Sequence, residues 1–73
     1  MKRLQRDREA RNWTRFELGS RARVNPPRVG QIESGRAVPK PDGIELIRLA
    51  AALDYDGDPA DLLDDVTEMR GAS

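Results

Sequence analysis

The chain of 73 residues contains neither cysteine nor histidine, and these two absences exclude several kinds of site. Without cysteine it can form no disulfide framework and no thiolate metal site. Without histidine it lacks the commonest acid–base catalyst and a usual zinc ligand. No nucleophile, base and oxyanion-stabilising group can be assembled from the residues that remain. We therefore expect no enzymatic activity, no metal, no cofactor and no small-molecule ligand.

Long apolar segments and strand patterns are also missing from the sequence. No apolar run approaches the length of about 20 residues that a membrane-spanning helix needs, and the N-terminus has no signal-peptide core. These features predict a cytoplasmic protein without a membrane partner. The alternation of apolar and polar residues that is typical of strands is absent as well. The length suits one small domain, which we place at residues 1–66, followed by a short tail at 67–73 that we expect to be disordered.

Charge is strongly separated along the chain, although the net charge is zero. Residues 1–40 hold 11 Lys or Arg against 4 Asp or Glu, whereas residues 41–73 hold 2 against 9. A basic front half indicates a polyanionic partner. Opposite charges that pair with one another on solvated helix faces would explain the same numbers, so charge alone leaves both interpretations open.

Start and stop signals predict five short helices and hence an all-α fold. The first covers residues 2–11. The second begins at Thr14, where "TRFE" is typical of a capping box, and ends near residue 22. The fourth covers residues 43–53, carries an apolar stripe, and is preceded by a second predicted capping box formed by Asp42 and Glu45. The fifth opens with an aspartate cap and a proline at residues 58 and 59, and it carries Leu62, Leu63 and Val66.

The third predicted helix occupies "NPPRVGQIESG", residues 25–35, and begins with two prolines. Asn25 is a favourable N-cap, and prolines are tolerated just after it because N–H groups of the first turn have no intrahelical partner. Gly35 is expected to end the helix in the left-handed conformation. Gly30 lies in the middle of the helix, where glycine costs about 1 kcal/mol relative to alanine.

Only Arg23 and Val24 separate the second predicted helix from the third. Two short helices that meet at so tight a turn form a helix-turn-helix unit, here at about residues 14–35. The usual partner of such a unit is duplex DNA, with the second helix in the major groove.

The sequence "REARNWTRFELGSRARVNPPRVGQIESGRAVPKP…LIRLAAAL…DPADLL" resembles the phage lambda repressor and Cro-like family, also called the xenobiotic-response-element type. The joint spacing of several residues carries this resemblance: Arg8, Thr14, Leu18, Val24, Val29, Ile32, Glu33 and Gly35. It implies a compact five-helix, lambda-repressor-like domain that binds double-stranded DNA sequence-specifically. It also implies a bacterial or phage transcriptional regulator, such as a repressor, that is nucleoid-associated and acts at a palindromic operator as a homodimer.

The same resemblance assigns roles to individual residues. It implies a structural salt bridge between Arg8 and Glu33. Four residues of the recognition helix would contact DNA bases: Pro26, Pro27, Arg28 and Gln31. Six residues in and around the helix-turn-helix would contact phosphates: Thr14, Arg15, Asn25, Ser34, Arg36 and Lys40.

Side-chain chemistry ranks the four base-contacting candidates. Arg28 can make a bidentate contact to guanine and Gln31 to adenine, each worth about 1–3 kcal/mol of discrimination. The two prolines offer only apolar surface, for example to a thymine methyl group. Gly30 is explained equally by drift at an exposed site and by close approach to the DNA backbone. Arg23 stands where the family prefers glycine, so we expect a strained backbone there.

Two other interpretations compete with DNA binding. Asp54, Asp56, Asp58 and Asp65 match part of a calcium-loop template, but Pro59 stands where that loop requires glycine. A protein-interaction module on the same fold, such as an antitoxin or adaptor, is the stronger rival because fold does not fix function. A seam at residues 62, 66 and 69 could serve a partner, or residues 62 and 63 could simply close the domain's own core. The outer face of the third helix discriminates between these readings, since its basic and amide residues favour DNA.

Overall fold

The computed structural model describes residues 1–66, which form four α-helices and one 3₁₀-helix. In chain order these are α1 (Arg3–Ala10), α2 (Arg15–Ala22), α3 (Pro26–Ser34), α4 (Ile44–Ala52) and the 3₁₀-helix (Pro59–Leu63). The predicted all-α class is confirmed for this part of the chain. The tail predicted at residues 67–73 lies outside the described residues.

The predicted count of five helices is not matched exactly, because residues 1–66 form four α-helices and the fifth element is a 3₁₀-helix. Asp58 caps it as expected, with its carboxylate accepting a hydrogen bond from the backbone N–H of Ala60 at 3.0 Å. Directly after Leu63 the backbone becomes extended at Asp64, with ψ 144°. The backbone N–H of Arg3 donates to the carbonyl of Asp64 at 2.7 Å, so the chain pairs with the N-terminus where the helix has ended.

This pairing joins the two ends of the described chain. The N–H of Val66 donates to the carbonyl of Met1 at 2.7 Å, and Lys2 and Asp65 form an isolated antiparallel bridge. No strand forms within residues 1–66, in agreement with the sequence pattern. Val66, predicted to lie in the fifth helix, belongs instead to this extended segment.

The core is built from one apolar face of each helix. Helix α2 packs against both α3 and α4, and the 3₁₀-helix closes the core against α1 and α4. The buried apolar side chains are Leu4, Leu18, Ala22, Val24, Val29, Ile32, Leu46, Leu49, Ala50, Leu53 and Leu62. The stripe on α4 has the i, i+3, i+4, i+7 spacing of a core-facing helix. None of the helices within residues 1–66 is long and apolar enough to cross a membrane.

The turn between α2 and α3 is tight and strained. Arg23 adopts the left-handed conformation, with φ 59° and ψ 41°, which costs a residue with a Cβ atom about 1–2 kcal/mol. This confirms the expected strain at Arg23. The N–H of Val24 donates to the carbonyl of Gly19 at 2.9 Å. A Cβ atom at Gly19 would lie 2.5 Å from the carbonyl oxygen of Val24, so glycine permits the close approach of the two segments.

The helix caps follow the sequence only in part. Thr14 accepts a hydrogen bond from the N–H of Glu17 at 3.0 Å, but the Glu17 carboxylate binds Arg21 instead of completing a capping box. Asn25 occupies the N-cap position of α3 without a side-chain cap bond. Pro26 and Pro27 have no backbone N–H, so the first turn of α3 has few donors left that the Asn25 side chain could accept from.

Candidate nucleic-acid interface

Helix α3 divides cleanly into a buried face and an exposed face. Val29 and Ile32 are fully buried and Glu33 nearly so. On the opposite side, Pro27, Gln31 and Ser34 are exposed in succession along the helix. This exposed face presents one amide and one hydroxyl group to solvent beside an apolar ring.

Beside this face lies an open groove of about 460 Å³. It brings together side chains from the start of α2, from α3 and from the segment after α3. The groove is lined by Arg15, Pro26, Pro27, Gly30, Gln31, Ser34 and Arg36. Three of the base-contact candidates and three of the phosphate-contact candidates therefore share one continuous surface.

Arg15 crosses this groove over Gly30. Its Nε donates to Oε1 of Glu33 at 3.1 Å, and its side chain remains 53% exposed. A Cβ atom built at Gly30 would lie 3.4 Å from Cδ of Arg15, at the inner edge of ordinary van der Waals contact. The position is thus half-buried beneath an arginine, a circumstance that neither sequence interpretation of Gly30 included.

Glu33 is the buried partner of two arginines. Its carboxylate accepts from Nε and Nη2 of Arg8 at 2.7 and 3.1 Å, in addition to the bond from Arg15. Nη1 of Arg8 donates to the carbonyl of Trp13 at 2.7 Å. The two residues that the resemblance pairs are therefore in direct contact. They fix the end of α3 to α1 and to the segment that leads into α2.

Arg28 lies on the flank of α3 that faces α4. Its Nε and Nη2 donate to the two carboxylate oxygens of Glu45 at 2.8 and 2.9 Å. These hydrogen bonds raise the pKa of Arg28 and lower the pKa of Glu45. Both side chains remain about one-third exposed.

The role of Glu45 was wrongly predicted from the sequence. Helix α4 has its N-cap at Gly43 and no side-chain cap bond, so the expected capping box between Asp42 and Glu45 does not form. Glu45 instead reaches Arg28, which is 17 positions away in sequence. No local spacing rule connects residues so far apart, and only the fold, in which α3 and α4 both pack against α2, could have revealed the pair.

The remaining phosphate candidates occupy the rim of the site. The Thr14 hydroxyl oxygen accepts the α2 cap bond, and its own hydrogen stays available as a donor. The Ser34 hydroxyl donates to the carbonyl of Gln31 at 3.1 Å. Lys40 is exposed and lines a second hollow with Arg28 and Glu45, on the α4 side of α3. Cations therefore stand on both sides of the exposed face of α3.

Trp13 contributes to the structure that supports this surface. It is partly buried and packs against the hydrophobic core. The guanidinium carbons of Arg21 and Arg11 lie 4.5 and 5.4 Å from the centroid of the ring. These distances are in the range of cation–π contacts.

The acidic segment predicted as a weak calcium-loop match has partners of its own. Asp58 caps the 3₁₀-helix, and the hydroxyl of Tyr55 donates to Asp61 at 2.9 Å. Within residues 1–66, no group of three or more acidic side chains is arranged to hold a metal ion.

A protein-family model described as a helix-turn-helix domain matches residues 2–63. No curated protein and no solved structure matches the chain significantly. The matched residues include all four α-helices and the 3₁₀-helix.

Proposed function

The chain belongs to the helix-turn-helix domain family, and because helix-turn-helix units usually bind duplex DNA, we propose that it binds double-stranded DNA sequence-specifically. The proposed role is that of a bacterial or phage transcriptional regulator of the lambda repressor and Cro-like type. It would act as a homodimer at a palindromic operator, in the cytoplasm and associated with the nucleoid.

One observation carries this proposal: the exposed face of α3 is flanked by cations on both sides. Arg15 and Arg36 line the groove on one side, and Lys40 lies beside Arg28 on the other. A recognition helix in the major groove runs between two phosphate backbones, so cations on both flanks suit that position. A protein-binding face would instead be expected to expose apolar side chains at its centre.

The exposed face itself has the chemistry for base readout. Gln31 is exposed and can pair with adenine through its amide. Pro27 is exposed one turn earlier and can contact only apolar groups such as a thymine methyl. The direct hydrogen-bonded readout is therefore assigned to Gln31 and Arg28.

Pairing of two copies draws support from exposed apolar side chains on the α4 side of α3, two of which, Val38 and Ile44, line the same hollow as Arg28 and Lys40. Val38, Ile44 and Ile47 are 77%, 58% and 47% exposed, and all three lie on α4 or just before it. Covering such side chains is favourable by about 25 cal/mol for each Å² removed from water. The same surface favours the alternative function, a protein-interaction module such as an antitoxin or adaptor, which would cover it with another chain.

The decisive experiment is selection of bound sequences from a random duplex pool, followed by titration of the best duplex at several salt concentrations. We expect a symmetric site with two half-sites. With three cations on phosphates, log affinity should fall against log salt with a slope of about −3 per subunit. Absent or salt-independent duplex binding would falsify the DNA-binding function and leave the protein-interaction alternative. An asymmetric single half-site would contradict the homodimer alone.

A further inference from the structure

The Arg28–Glu45 pair has a geometry that bears on base readout. The carboxylate of Glu45 covers one edge of the guanidinium, the edge formed by Nε and Nη2. A guanidinium has five N–H donors in a planar fork. Two of the five are engaged by Glu45, and three remain on Nη1 and Nη2. Of the described residues, none accepts a hydrogen bond from Nη1.

The edge left open is the one that guanine recognition uses. Neighbouring N–H groups on Nη1 and Nη2 are parallel and match the paired acceptors O6 and N7 in the major groove. Arg28 lies at the flank of α3 rather than at the centre of its exposed face. A long side chain at that position needs a partner to hold it in one direction, and Glu45 supplies two short hydrogen bonds for this purpose.

We infer that Glu45 is a positioning residue for base readout, which holds the Arg28 guanidinium so that its free edge is presented to a guanine. This assignment rests on the proposed function of sequence-specific DNA binding. Glu45 acts through Arg28 and contacts no base itself. Ordering the arginine before DNA arrives removes the cost of immobilising a flexible side chain at the moment of binding.

Loss of the Glu45 carboxylate is expected to have two effects of opposite sign, one on non-cognate affinity and one on base discrimination. Glu45 places a negative charge near the DNA phosphates, so its loss removes repulsion and leaves non-cognate affinity unchanged or tighter. Its loss also frees Arg28 to sample many rotamers, which lowers discrimination at one base pair. A residue that only stabilised the packing of α4 against α3 would change both affinities in the same direction.

The test compares the parent chain with Glu45→Gln, Arg28→Ala and the double variant on the selected duplex and on duplexes substituted at each base pair. Asp42→Asn is the matched control, because it removes one exposed carboxylate near the start of α4 without touching Arg28. Arg28→Ala should lower discrimination at one base pair by about fivefold to a hundredfold. Glu45→Gln should lower it at the same base pair by about two- to tenfold, and Asp42→Asn should not.

Thermal unfolding of each variant confirms that it is folded at the assay temperature. Should Glu45→Gln be poorly folded, Glu45→Asp replaces it, since this change keeps the charge but withdraws the carboxylate by one methylene. It should reduce discrimination without tightening non-cognate binding. In the Arg28→Ala background, replacing Glu45 should have no further effect on base preference.

Several results would overturn the assignment. Unchanged discrimination in Glu45→Gln would do so, as would a loss that persists undiminished when Arg28 is alanine. Improved discrimination would show that Glu45 competes with DNA for Arg28. Failure of Arg28→Ala to alter any base preference would remove Arg28 from readout and Glu45 with it. Failure of the parent chain to bind duplex DNA would instead overturn the proposed function itself.

Discussion

Replacing Glu33 by glutamine should destabilise the domain more than any other single isosteric change at an ion pair. The substitution keeps the shape of a side chain that has no exposed surface, so no cavity is created. It removes the charge that three N–H groups of Arg8 and Arg15 share. The two arginines then differ in how readily water can replace the lost carboxylate.

The magnitude follows from the burial of each arginine. Arg15 is 53% exposed and can turn its guanidinium into water. The Arg8 side chain is only 10% exposed, and its Nη1 is also bound to the carbonyl of Trp13. Breaking a buried pair by removing one partner costs about 3–5 kcal/mol. Because Arg15 can be rehydrated, we expect the lower end, about 3 kcal/mol, a large fraction of the stability of so small a domain.

Urea denaturation followed by circular dichroism at 25 °C measures this loss. Glu45→Gln is the matched control, because its pair with Arg28 is partly exposed and such pairs contribute about 0–1 kcal/mol. The double variant Arg8→Met with Glu33→Leu should recover much of the loss, since no buried charge is left unpaired. The reasoning is refuted if Glu33→Gln lowers the free energy of unfolding no more than Glu45→Gln does. It is also refuted if the double variant loses as much stability as the single variants Arg8→Met and Glu33→Leu lose together.

Three further predictions concern the turn, the groove and pH. Arg23→Gly should stabilise the domain by about 0.5–1 kcal/mol, because glycine adopts φ 59° without a Cβ penalty; an unchanged or lower thermal midpoint would contradict this. Gly30→Ala should also stabilise it, by up to about 1 kcal/mol, since the new Cβ meets only the flexible Arg15 side chain at 3.4 Å. If duplex affinity nevertheless falls in that variant, the DNA backbone approaches residue 30 closely. Unchanged affinity favours the other explanation of Gly30, which is drift at a site on the helix surface. Because Arg28 lowers the pKa of Glu45, the pair stabilises the fold above the unfolded pKa of about 4.3, and that contribution is lost as pH falls through the folded pKa. Denaturation measured between about pH 3 and about pH 6 should therefore show that acidification lowers the free energy of unfolding less in Glu45→Gln than in the parent. Equal losses in the two proteins would contradict a stabilising role for the pair.

Local sequence rules predicted the features that depend on neighbours in the chain. The cap at Thr14, the left-handed Gly35 (φ 83°) and the strained Arg23 each follow from residue types at adjacent positions. The buried stripe of α4 follows from helical periodicity. In each case the physical cause is contained within one or two turns, so one sequence is enough to find it.

Features that depend on packing between helices were not predictable in the same way. Arg28 meets Glu45, and Arg15 meets Glu33 across Gly30, only because the helices bring distant positions together. The last element ends at Leu63, where the segment after it pairs with the N-terminus near Arg3. Propensity and capping signals contain no information about such contacts, and the sequence therefore assigned Glu45 to a cap that does not form.

The composition left two interpretations of the charge separation open, pairing of charges within the protein and a polyanionic partner. The described cations fall into two groups, one for each interpretation. Lys2 pairs with Asp65 and Arg28 with Glu45, so cations of the basic half do bind carboxylates of the acidic half. Within residues 1–66, Arg36 and Lys40 form no ion pair, and they lie on opposite sides of α3. The paired cations are held by carboxylates of the protein itself, whereas the unpaired ones are the candidates for phosphate contacts. Substituting Arg36 should accordingly weaken all duplexes alike, while substituting Arg28 should change which duplex is preferred.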